Sequence, residues 1–260
     1  MQLIAQLLPS FLLIFCRITA FFVVAPIYSF RNMPNSFKIG LAVFISLLIT
    51  AAMGTQDTLI MNGEYILLIV REILIGLMLG FTAYLIFTVV QVAGSFIDIQ
   101  MGFGIVNVID PMTGAQSPIM GNFKFFIATL LFLSVNGHHY LLLSIMKSYE
   151  WVPMDNRIFA KIADGTISSF MIDSFVEMFY LAFQLAAPMV ATLFLVDVAL
   201  GVLARTVPQF NVFVVGLPIK IAVGFILLIL IVPSLLYLFN DLFTTMLDAL
   251  QQLMNAIATD

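Results

Sequence analysis

Four features of this 260-residue sequence hold residues that could do chemistry. The first is Asn136-Gly137-His138-His139, which sets two imidazoles side by side. Neighbours on a helix point about 100° apart, so the pair lacks the i, i+4 geometry with which HExxH grips zinc. No thiol or carboxylate stands near it in sequence, and a polar cap or neighbour contact at a glycine turn accounts for it better. The second is the supply of serines. None lies in G-x-S-x-G, and a His and an Asp elsewhere in the chain do not make a triad.

The third feature is Asp197 in LFLVDVALG, the kind of lone acid an ion-coupled carrier uses within a membrane. The alternative is an acid held by Arg17, Lys220 or a backbone amide. Arg205 lies eight residues on, about 12 Å along a helix, too far to pair with it directly. The fourth is DIQMGFGIVNVIDPMTGAQSPIMG, residues 98–121. Gly102 and Gly104 interrupt its apolar run, and Asp110-Pro111 with Thr113-Gly114 is turn punctuation. Irregular backbone at membrane depth survives only under protein or beside water, so this is an exterior loop or an element lining a cavity. Its apolar Val106, Val108, Ile109 and Ile119 favour the cavity.

The elements that must position these residues are helices in an apolar setting. Hydrophobic residues make up 62% of the chain and charged ones 9%, against roughly 25% charged in an average soluble domain. So few charges cannot cover a water-facing surface. A net charge of -4 without a Lys/Arg cluster argues against nucleic acid as a partner. Cys16, the only cysteine, has no spaced ligands around it and reads as a small buried residue rather than part of a disulfide or zinc site. MQLIAQLLPS carries no Lys or Arg before its apolar run and does not read as a cleaved leader.

Six hydrophobic regions run approximately from Leu3 to Pro26, Phe37 to Met53, Ile66 to Val92, Phe123 to Leu143, Phe175 to Leu203 and Val212 to Phe239. Crossing a ~30 Å hydrocarbon core takes about 20 helical residues. No region alternates with period two, so the class is all-α and membrane-associated, with helical hairpins that stop part-way as an option for the short second region. Arg17, Arg71, Glu72 and Asp197 sit in or at the edge of these runs. A charge at a helix centre costs about 2.5–3.5 kcal/mol on insertion, so each should face a partner or a watery cavity. Gly76-Leu-Met-Leu-Gly80, and Ala187 with Ala191, have the spacing at which helix backbones approach closely.

With six spans, Arg31, Lys38, Lys124, Arg205 and Lys220 fall on one side and Lys147, Arg157 and Lys161 on the other, placing both termini outside. Residues 144–174 are the most water-compatible stretch, with Tyr149 and Trp151 as interfacial anchors. The tail reads as an amphipathic helix, 241–258, capped by Asn240 or Asp241. Its Phe243, Leu247, Leu250, Met254 and Ile257 form a 4-3-4-3 seam for a partner helix, the alternative being a helix that lies on the membrane surface, whose usual Lys and Arg the polar face lacks.

Two stretches resemble the FliR family: AGSFIDIQMGFGIVNVIDPMTGAQSPIMGNFKFFIATLLFLSVNGHHYLLL at 93–143 and AAPMVATLFLVDVALGVLARTVPQFNVFVVGLPIKIAVGF at 186–225. QMGF, DP, NGHH, LAR, PQ-x-N-x-F and GLP-x-K occur in that order, and the likeness covers most of residues 85–235. The resemblance implies an R subunit of the flagellar type III export gate, related to injectisome components, as a single 1–260 subunit domain. It implies hairpins like a fused P-like and Q-like unit, joining FliP-like and FliQ-like subunits in a hetero-oligomeric helical ring around a narrow channel. The implied place is the bacterial cytoplasmic (inner) membrane at the flagellar basal body, with much of the assembly at or above the bilayer surface. Other export-apparatus proteins, membrane lipids and unfolded exported proteins are the further partners.

The family plugs its closed channel with a loop. Carried over to the Gly104–Met120 stretch, this makes Val106, Asn107, Val108, Ile109, Asp110 and Pro111 the plug. Related members often carry Phe where this chain offers Val106, Val108 and Ile109. ARTVPQFNVFVVGLPIKI, 204–221, then becomes a connection between hairpin helices that Pro208 and Pro218 keep from running through. Arg205, Gln209, Asn211 and Lys220 would satisfy its irregular backbone, and with Asp197 these are the subunit-contact or buried polar residues. The expected protein is no enzyme and needs no cofactor or metal; no G-x-x-x-x-G-K-[ST] loop is present. The competing expectation is a stand-alone ion-coupled transporter using Asp197, although no repeated halves are visible.

Overall fold

A computed structural model describes residues 2–30, 32–53, 63–104, 118–152, 157–207 and 211–258. The helices are α1 (Gln2–Val24), α2 (Asn35–Met53), α3 (Gly63–Met101), α4 (Ile119–Ser134), α5 (Gly137–Trp151), α6 (Arg157–Ala163), α7 (Thr166–Thr206) and α8 (Val212–Ala258). No strand occurs among the described residues, so the all-α expectation holds. Five helices are long and apolar enough to cross a membrane, or up to six if α4 and α5 together make one span. α3, α7 and α8 have 39, 41 and 47 residues. At about 1.5 Å per residue they are roughly 60–70 Å long, about twice the ~30 Å hydrocarbon core.

The chain folds as two compact units, one of Met1–Ile86, Asn136–Phe175 and Thr244–Asp260, the other of Phe87–Val135 and Val176–Phe243. In the first, Leu13, Ile14, Ile18, Phe21 and Phe22 recur at helical spacing on one face of α1, and all are buried. α1 approaches α3 at Gly76 and Gly80. A Cβ on Gly76 would strike the Arg17 carbonyl and Ala20, and one on Gly80 would lie 2.9 Å from the Phe21 carbonyl oxygen. The Gly76–Gly80 spacing therefore does what it promised and brings two backbones together. α2 packs on α1. Its buried Ser46 and Thr50 hydroxyls donate to the Ala42 and Ser46 carbonyls at 2.6 and 2.7 Å, so neither needs a partner outside the helix.

The second unit is built around Phe87, whose ring meets Phe125 and Phe132 edge-on at 5.2 and 5.5 Å and stacks on Phe243 at 6.3 Å. From α7 it buries Ala182, Leu185, Ala186, Met189 and Leu193. Ala191 is exposed and Ala187 only partly covered, so among the described residues their spacing does not bury both against a neighbouring helix.

Several expectations change. The described residues of the 144–174 connection are mostly helical: the end of α5, all of α6 and the start of α7. Tyr149 is buried and donates its hydroxyl to the Ile14 carbonyl at 3.1 Å, which makes it core rather than an interfacial anchor. Asn240 and Asp241 lie inside α8, because nothing after Pro233 stops that helix. The residues Phe243, Leu250, Met254 and Ile257 are buried within this chain. Pro218 also lies inside α8, where a ring near the first turns removes one backbone bond without ending the helix. Lys124 and Lys220 sit in helices with side chains turned to internal partners, so neither marks the side of a loop.

Candidate functional site

α4 starts behind Pro118, which makes no side-chain cap bond, and the first amides of a helix have no acceptor within it. Asp98, almost fully buried on α3, supplies one from 22 residues earlier. Its two carboxylate oxygens each accept the Met120 N–H at 3.0 Å, and Oδ2 also accepts the Gly121 N–H at 3.3 Å. A negative charge is favoured there by the helix dipole as well. The close approach depends on glycine: a Cβ on Gly94 would collide with the Gly121 backbone. Lys124, buried further along α4, lies close enough to act on Asp98 electrostatically, with Nζ 3.7 Å from Met189 Sδ.

α3 ends beside this contact. Phe103 donates its N–H to the Asp98 carbonyl at 3.0 Å and Gly102 to that of Ile99 at 3.2 Å, with Gly102 at φ 90. This is the double bond pattern by which a left-handed glycine closes a helix. Asp98 thus holds the described residues on both sides of 105–117 in one clasp: its carboxylate caps α4 while its carbonyl closes α3. Asp98→Ala strands two buried amides and is expected to cost about 1–3 kcal/mol, seen as a lower unfolding midpoint in detergent. Asp98→Asn keeps one acceptor oxygen and should recover part of that loss.

A second carboxylate fixes the same helix end. Asp197 on α7 accepts Gln100 Nε2 of α3 at 2.8 Å and pairs with Lys220 Nζ of α8 at 2.9 Å. Of the partners weighed for Asp197, Lys220 is the one found. The pair is part-exposed, at 39% for Asp197 and 16% for Lys220. Beside it the Met101 side chain lies against Gly224, and Leu217 fills the space a Gly102 Cβ would need.

Asn211 caps α8, its Oδ1 accepting the Val214 N–H at 3.3 Å. Arg205 is exposed in the last turn of α7, where a cation complements the helix dipole. Pro218 is exposed on α8. Val106, Asn107, Val108, Ile109, Asp110, Pro111, Pro208 and Gln209 lie outside the described residues. At the histidine pair, the His138 carbonyl accepts the Tyr28 hydroxyl at 3.0 Å, a neighbour contact at the turn. Burial pushes the Tyr28 phenol up to about 12, so it stays a donor at any physiological pH.

The first unit holds the network the sequence left unpaired. Arg17 forks onto Glu72, Nε to Oε2 at 2.5 Å and Nη2 to Oε1 at 3.0 Å. Its Nη1 donates to the Ser148 carbonyl and hydroxyl at 3.0 and 2.9 Å, and its guanidinium lies 4.0 Å over the Tyr149 ring. Arg71 reaches the same Glu72 at 3.0 Å. Ser148 and Tyr149 are neighbours of Arg17 that sequence reasoning placed in the water-compatible stretch instead.

Apolar helices long enough to cross a membrane, and a buried ion pair that joins helices, define a membrane-embedded helical protein. The chain belongs to the bacterial export proteins, family 1, whose family model matches residues 8–246. It is 47% identical over 254 residues to the flagellar biosynthetic protein FliR of Bacillus subtilis (strain 168), covering 98% of each chain. It is 31% identical to the flagellar biosynthetic protein FliR of Escherichia coli (strain K12), covering 91% of each. The Yop proteins translocation protein T of Yersinia pestis is 26% identical, with 88% of each chain covered.

Proposed function

We propose that this chain is the R-type subunit of the flagellar type III protein export apparatus, a single subunit domain in the bacterial cytoplasmic membrane at the flagellar basal body. The observation that carries the reading is the likeness along 98% of both chains to a flagellar biosynthetic protein. In this reading the chain joins FliP-like and FliQ-like subunits in a helical ring. It helps line and close a channel for unfolded proteins and catalyses no reaction. The exposed apolar faces of α7 and α8 supply what neighbouring subunits and lipid would cover. Residues 106–111 act as the plug, and Asp98 fixes the point from which that segment leaves. Removing the chain from its bacterium should stop the appearance of flagellar filament protein in the medium. Secretion at the parental level would overturn the proposal.

The stand-alone transporter is set aside. Family membership points elsewhere, and Asp197 is engaged by Lys220 and Gln100. Asp197→Asn keeps an acceptor for Gln100 and removes only a part-exposed pair, worth about 0.2–1 kcal/mol before screening. Export by that variant should stay within about fivefold of wild type, a factor of roughly 1.4–5 being all that such an energy can move. A carrier whose proton site is Asp197 would instead lose all transport.

A further inference from the structure

We infer that the groove between α5 and the last turns of α8 is a binding site for an anionic phospholipid, its phosphate held at Lys147. The groove is a cavity of about 290 Å³ in the first unit, lined from α5 by Tyr140, Leu143, Ser144, Lys147 and Trp151. These recur at helical spacing and so share one face. Leu247, Gln251 and Met254 line it from α8, again on one face. Lys147 is the one cation of this lining, which also carries three donors: the Trp151 indole N–H one turn away, the Gln251 amide, and the Tyr140 hydroxyl two turns back along α5. The Ser144 hydroxyl is already given to the Tyr140 carbonyl at 2.9 Å. Leu143, Leu247 and Met254 supply the apolar wall on which an acyl chain would lie.

Lys147, one turn before Trp151 at the C-terminal end of α5, is the pairing of cation and indole that settles at lipid headgroup level. The carboxylates nearest in sequence, Glu150 and Asp248, are exposed and do not line the cavity. Its volume sits at the small end of ligand pockets, about 300 Å³ and upward, and suits a glycerophosphate headgroup better than a whole nucleotide. The inference rests on the chain lying in a membrane and not on the export reading, so each can fail alone.

Trp151 is the only tryptophan in the chain, so its emission reports on this groove alone. The test is quenching of that emission by brominated phosphatidylglycerol or brominated phosphatidylcholine added to the full-length chain in mild detergent. Phosphatidylglycerol should reach half-maximal quenching at about a fivefold lower mole fraction than phosphatidylcholine, the preference one lysine gives for an anionic lipid. Lys147→Gln should abolish that preference, while Lys161→Gln on α6 should keep it. Equal quenching by both lipids, or a preference that survives Lys147→Gln, overturns the site. Inorganic phosphate that displaces the brominated lipid at millimolar concentration overturns the lipid assignment in favour of a small-anion site.

Discussion

Glu72→Ala is expected to lower the stability of the folded chain by about 3–5 kcal/mol, because it leaves the buried Arg17 and Arg71 without their carboxylate. Whole domains are stable by only about 5–15 kcal/mol, so much of this variant should be lost to aggregation when extracted into detergent. The Ser148 oxygens and the Tyr149 ring would still face Arg17, but none of them carries a compensating charge. The informative comparison is the triple variant R17M/R71M/E72L. Replacing a whole buried ion cluster with apolar groups of similar volume is often neutral or stabilising, so the triple variant should unfold at a higher temperature than Glu72→Ala alone. A triple variant less stable than the single one would mean that the cluster does more than balance its own burial.

Changing Val106, Val108 and Ile109 together to glycine is expected to make the closed gate conduct small ions. An apolar constriction excludes ions by keeping water out, and three glycines remove that bulk from the proposed plug while leaving the backbone in place. The measurement is single-channel or whole-cell conductance with the assembled gate in the membrane. A current resolved above background is the expected result, and conductance equal to wild type counts against the plug. Asp98→Ala should leak less than the triple glycine variant, since it loosens the base of the segment without removing its apolar side chains.

Much of this architecture was legible because membrane helices write themselves in composition. Uninterrupted apolar runs marked the positions of the long helices, and Gly76 with Gly80 marked a real backbone contact. What stayed hidden was pairing across long separations. Arg17, Arg71 and Glu72 were visible as charges in apolar runs, but Arg17 and Glu72 are 55 residues apart and Ser148 is 131 from Arg17. No periodicity carries that information. The role of Asp98 had no such clue, because Ser117-Pro118 reads in sequence as a helix start that brings its own cap. Pro218 misled for a local reason, since a proline near the start of a helix reads in sequence like one that ends it. The polar residues of 144–174 misled in another way: on α5, buried Ser148 and Tyr149 alternate with exposed Lys147 and Glu150.

The central claim is that this chain works as one subunit of a larger export gate. Its most direct test is the native mass of the full-length chain extracted in mild detergent, with and without co-expressed FliP-like and FliQ-like subunits. The account predicts a discrete complex that contains one copy of this chain and several copies of each partner. A stable monomer or homodimer that ignores both partners would contradict it.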